Sequence, residues 1–110
     1  MLKEAKLALR VTADAYDAEI MSLLAAGAKD LEIAGVQLHG RINYTAGTGG
    51  VDDYSTIRDP LETRAILTYA AAHFGNPPNY DKLLAAYETQ KVQLMHAAEY
   101  TNYGGGEDPC

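Results

Sequence analysis

Cysteine is almost absent from this 110-residue chain: the single one is Cys110. One thiol cannot form an intrachain disulfide, which excludes a disulfide framework and leads us to expect a reducing, intracellular setting. Its place as the last residue also fails the prenylation motif, which puts cysteine four from the end. Basic residues are scarce as well, with 9 Lys and Arg against 15 Asp and Glu and a net charge of −6. They are scattered along the chain, whereas a surface that grips phosphates gathers them into a patch. Tight nucleic-acid binding by a single subunit is therefore not expected. An acidic surface that must not stick to DNA remains compatible. No apolar run approaches the roughly 18 residues of a membrane helix. The opening residues include Lys3, Glu4 and Lys6 and show no apolar signal-peptide region. Neither a membrane span nor a secretory leader is expected.

The chemistry-bearing motifs are missing too. Residues 45–54 read TAGTGGVDDY, with the glycine density of a phosphate cradle. Such a cradle feeds a helix N-terminus and is followed by Lys and Ser or Thr. Here Val51, Asp52 and Asp53 follow, two carboxylates that repel phosphate, and the next helix start is only at Pro60. A loop with another task is the better reading. Asp14, Asp17 and Glu19 do not make an EF-hand, because the sixth position counted from Asp14 is Glu19 and the twelfth is Ala25. His39, His73 and His96 show no i, i+4 pair, and the cysteine lies too far along to complete a zinc site. There is no nucleophile elbow and no cysteine–histidine pairing. No cofactor, no metal and no enzymatic activity are expected.

What is present is helical periodicity in one domain. Residues 2–9 place Leu2, Ala5 and Leu9 on one face, a helix too short to stand alone. Residues 14–34 carry a stripe of Ile20, Leu23, Leu24, Gly27, Leu31 and Ala34, with Asp14 as N-cap and Gly35 as the C-terminal stop. Gly27 thins that helix where another can approach. Val36, Leu38, Ile42 and Tyr44 break the pattern and leave room for a short extended piece. Asp59-Pro60-Leu61-Glu62 is a sharp helix start, with Asp59 at N-cap, Pro60 at N1 and Glu62 placed for a capping box. The helix that follows is apolar nearly all round and is expected to be the most buried. Gly75 and Asn76-Pro77-Pro78 end it. A last helix is expected from Tyr80 to Tyr100, with Tyr80, Leu83, Leu84, Tyr87, Leu94 and Ala98 on one stripe.

These elements predict an all-α fold: a bundle of about four helices, one short and N-terminal, with a long glycine-rich loop. Residues 1–99 form the helical domain and 100–110 a flexible tail. Of the eight tyrosines, Tyr100 and Tyr103 fall at or beyond the last helix, flanked by Asn and Gly. Tyrosine in such a place is typical of a contact surface.

Two stretches together resemble the head–tail connector proteins of tailed bacteriophages, the small adaptor or head-completion proteins tied to DNA packaging. In the first, Leu7 to Glu32 with Lys6 just before it, the residues Lys6, Leu9, Arg10, Val11, Asp14, Asp17, Ile20 and Leu24 occupy places comparable to the family's opening. In the second, Asp59 to Pro77, a capped helix beginning Asp-Pro-Leu runs through Ala-Ile-Leu to a His-Phe pair and an Asn-Pro turn. With the last helix, the resemblance covers Lys3 to Tyr100. Gly27 in place of alanine and the acidic glycine loop depart from the pattern.

The resemblance implies a structural protein of the virion, at the head–tail interface, assembled in the host cytoplasm. It implies a homo-oligomeric ring, dodecameric on the portal, that docks on the portal protein, extends the DNA channel and meets a tail or stopper protein. DNA would pass without sequence-specific binding. Within that picture, Tyr100, Tyr103, Glu107 and Asp108 are candidate partner-binding residues. Asp52, Asp53 and Tyr54 are candidates for the channel or an inter-subunit contact. On the residues alone two rivals stay open: a small intracellular helical adaptor or regulator unrelated to virions, and a ligand-binding or metal-dependent enzyme using the glycine loop or the histidines.

Overall fold

The apolar stripes become four α-helices in a computed structural model, which describes residues 1–44, 54–75 and 77–97. They are α1 (Leu2–Leu9), α2 (Asp17–Ile33), α3 (Pro60–His73) and α4 (Tyr80–His96), with one antiparallel ladder between β1 (Ile42–Asn43) and β2 (Tyr54–Ser55). The mostly helical bundle expected from periodicity is what forms. Its extended piece is a two-residue strand, and its partner lies across the glycine loop, in register Ile42 to Ser55 and Asn43 to Tyr54.

Helix α3 is the centre: α1, α2 and α4 all pack on it. Ile20, Met21, Leu24 and Leu31 of α2 meet Ala65, Ile66 and Ala70 of α3 and Tyr87 and Leu94 of α4 in one buried cluster. Full burial of each large side chain contributes about 1.5–3 kcal/mol. Gly27 makes the closest approach possible. A Cβ there would lie 3.1–3.2 Å from the Tyr69 side chain, so the bare backbone is the seat for that ring. Tyr69 in turn stacks edge-on against Tyr87 at 5.2 Å. The Tyr87 hydroxyl donates to Asp30, which also takes Lys91 at 3.2 Å, tying α2 to α4. Burial and the Asp30 carboxylate hold the Tyr87 hydroxyl far above its ordinary pKa.

Several helix ends differ from the sequence reading. Asp14 does not cap α2. A single 3₁₀ turn, Asp14–Tyr16, precedes the helix, whose N-cap is Tyr16. The cause is Lys6, which reaches both Asp14 (2.9 Å) and Asp17 (2.8 Å) and pins this turn to α1. Gly35 does end α2, at φ 103°, with Val36 N–H on Leu31 O and Gly35 N–H on Glu32 O, the Schellman pair of bonds. Helix α1 ends on the same kind of turn without a glycine: Arg10 sits at φ 58°. Helix α4 stops at His96, four residues short of Tyr100, and Ala97 is already extended. After Leu94 no large apolar residue continues the buried stripe.

Helix α3 is the central helix, as expected, but its apolar surface is not closed all round: Leu61 is 53% exposed. Tyr80 sits at the edge of the bundle, its ring edge-on to His73.

Candidate functional site

The best-built polar arrangement stands where the chain leaves for the glycine loop and returns from it. The capped start of α3 supplies the platform. The Asp59 carboxylate accepts from the N–H groups of Leu61 (2.9 Å) and Glu62 (3.2 Å), as its sequence position predicts. That fixes Glu62 in the first turn, fully buried. Its carboxylate accepts from the His39 backbone N–H on both oxygens, at 3.0 and 3.2 Å, and lies 2.6 Å from His39 Nδ1. The residue placed for a capping box thus reaches across to a segment 23 positions earlier.

The neighbouring backbone is close-packed for a second reason. A Cβ on Gly40 would come within 2.8 Å of the Thr56 carbonyl group, so only glycine fits there. Thr56 N–H donates to Arg41 O at 2.9 Å, and Arg41 N–H donates to the Thr56 hydroxyl at 3.0 Å. Arg58 donates to the carbonyls of Ser55 and Ile57. The two arms of the loop are therefore clamped to each other and to α3, with buried Ile57 beneath them.

Could this cluster hold a metal ion? His39, Asp59 and Glu62 each offer a ligand atom, and the three atoms lie within 4.8 Å of one another. The 2.6 Å contact from Nδ1 to the carboxylate is a hydrogen-bond distance. Two ligands on one tetrahedral zinc at ordinary bond lengths stand about 3.3 Å apart. An Asp59 oxygen is also engaged in capping. In this arrangement the cluster is an anchor for the loop, with a proton between histidine and glutamate.

A second feature is a groove of about 530 Å³ along the outward face of α3. Pro60, Thr63, Leu67 and Ala71 form its floor, and Ala8 of α1 and Leu83 of α4 its sides. Arg58 and Arg64 stand on it, and Arg64 also lines a smaller hollow with Leu61 and Ala97. Beyond the groove, Leu7 (72% exposed) and Ile33 (78%) are large apolar side chains left in solvent.

The candidate residues named from sequence are placed as follows. Asp52 and Asp53 lie outside the described residues, and so do Tyr100, Tyr103, Glu107 and Asp108. Tyr54 is placed by its backbone, in β2 opposite Asn43 at the foot of the loop. His73 stacks on Tyr69 at 4.4 Å near the end of α3, and His96 is exposed in the last turn of α4. No local spacing signals the His39–Glu62 pair, because its partners are far apart in sequence and meet only when the loop closes.

The comparisons bear on these features together. The family model described as phage connector protein matches residues 1–101, which spans all four helices and the loop. No curated protein and no solved structure gave a match.

Proposed function

The chain belongs to the phage connector protein family, and from that premise we propose that it is the ring-forming connector between head and tail of a tailed bacteriophage. The family is a structural one, which implies a place in the virion with virion partners and speaks against an enzyme. Among the described residues no helix is long and apolar enough to cross a membrane.

In this reading the subunits form a homo-oligomeric ring, dodecameric on the portal. The ring docks on the portal protein, extends the DNA channel and presents a surface to the tail or stopper protein. The family match carries the proposal, and three physical features support it. A small bundle that leaves Leu7 and Ile33 in solvent gains from burial against neighbours. A net charge of −6 suits a conduit through which DNA slides without being held. A loop whose base is clamped can present Asp52, Asp53 and Tyr54 to the channel or to an adjacent subunit. Tyr100, Tyr103, Glu107 and Asp108 are assigned to partner docking.

Light scattering with negative-stain imaging tests the ring, with the protein alone and mixed with its portal. Closed rings in either sample support the proposal. A chain that stays monomeric and does not bind portal overturns it. Asp52→Lys with Asp53→Lys should hinder ring formation or DNA passage, and unchanged yields of infectious particles would remove the loop from the channel. Deleting residues 99–110 should weaken portal binding, and undiminished binding would remove that segment from the docking surface.

A further inference from the structure

We propose that in the free subunit the acidic, tyrosine-bearing segment 98–110 lies in the groove along α3 of its own chain. This goes beyond the connector reading and does not depend on ring or portal.

The path is set by where α4 ends. Ala97, its C-cap, lines a hollow with Leu61 and Arg64 of α3. Arg64 is common to that hollow and to the larger groove, so the chain leaves α4 at the groove's mouth. The groove then follows α3 from Pro60 past Leu67 to Ala71. Helix α3 has 14 residues, or roughly 21 Å at helical rise. The 13 positions from 98 to 110 span up to about 45 Å when extended, more than enough to run its length.

Charge favours the same occupant. Every charged residue in segment 98–110 is acidic: Glu99, Glu107 and Asp108. The basic groups on the groove are Arg58 and Arg64. Arg58 spends one guanidinium nitrogen on the carbonyls of Ser55 and Ile57. Arg64 makes no ion pair with any described residue. The one acid on the groove, Glu4, is already taken by the Met1 amino group at 3.3 Å. The floor of Pro60, Leu67 and Ala71 suits a tyrosine ring, which buries a large apolar face and keeps its hydroxyl at the rim.

The single cysteine makes the test direct. A nitroxide spin label on Cys110, or on Asn102→Cys in a Cys110→Ser chain, is attached to nitrogen-15 protein diluted in excess unlabelled protein. The expected result is loss of amide intensity at Thr63, Leu67, Thr68 and Ala71, restored when the label is reduced and weakened at high salt. Arg64→Glu should abolish the loss, and adding Glu99→Lys, the acid nearest the groove's mouth, should bring it back. Intensity loss only when the label is on the other copy means a second chain's segment fills the groove, and it overturns the proposal. So does an absence of loss on α3, a loss spread evenly over the surface, or a loss that survives Arg64→Glu.

Discussion

Replacing Glu62 tests whether the loop base is held as described. The carboxylate is fully buried and receives both the backbone N–H and the ring nitrogen of His39. A hydrogen bond to a charged group contributes about 1.5–3 kcal/mol, against about 0.5–1.5 for a neutral one. Glu62→Gln keeps the shape but loses the charge and turns an amide N–H₂ toward one donor, which predicts a cost of about 1–2 kcal/mol. Glu62→Ala removes every acceptor and leaves a cavity, so about 3 kcal/mol is expected. For a domain of this size each kcal/mol moves Tm by roughly 4–8 °C. His39→Ala should cost less, because the ring is 47% exposed and the backbone N–H stays bonded.

Global stability alone does not decide the matter. A buried carboxylate is expensive to desolvate, and Glu62→Leu can recover stability while freeing the loop. The deciding readout is amide hydrogen exchange at His39 and Thr56. Both should exchange faster in Glu62→Leu and in Glu62→Gln while the amides of α2 stay protected. A double-mutant cycle of Glu62→Gln with His39→Ala should show coupling of about 1 kcal/mol. Coupling indistinguishable from zero, together with unchanged exchange at both amides, refutes the anchor.

Three further predictions follow from the packing. Gly27→Leu should destabilise the fold by more than about 2 kcal/mol in urea unfolding, since even a Cβ presses on Tyr69; tolerance would mean that α2 and α3 are not in close contact there. Arg10→Gly should stabilise by about 1 kcal/mol, because φ 58° is costly for a residue with a Cβ; a loss of stability would assign the arginine side chain a role the described contacts do not show. The raised Tyr87 hydroxyl sets an alkaline limit. Above about pH 10 the unfolded chain releases this proton and the folded one keeps it, so stability falls by about 1.4 kcal/mol per pH unit. Tyr87→Phe should cost about 1 kcal/mol at neutral pH by losing the Asp30 bond, and should fall less steeply with pH above that point; parallel curves would contradict it.

The helices were legible because each announces itself locally. The stripe from Ile20 to Leu31, the Asp59-Pro60 start and the Gly35 stop depend on residues within a few positions of one another. What was missed depends on distance in sequence. Asp14 reads as a cap until Lys6 of α1 draws it away. Glu62 reads as the second half of a capping box until His39 takes its oxygens. The outward face of α3 reads as core, because Leu61, Leu67 and Ala71 are apolar and composition does not reveal that, among the described residues, α1 and α4 flank this face and leave a groove between them. The assembly residues named from sequence fall mostly outside the described structure, and Tyr54 alone is placed, by its backbone.

That grooved face and the loop anchor meet in one turn of helix. Asp59 caps it, Glu62 points inward to hold the loop through His39, and Arg64 points outward onto the groove beside Ala97. The segment before the loop, the return arm carrying Arg58 and the end of α4 all converge there. A change in what occupies the groove at Arg64 therefore acts one residue pair away from the carboxylate that fixes the loop. Coupling between groove and loop requires that this turn have two arrangements that each site favours differently. Exchange at the His39 amide, followed as residues 99–110 are deleted, measures that coupling directly: faster or slower exchange shows one linked element, and identical exchange shows two independent devices sharing a platform.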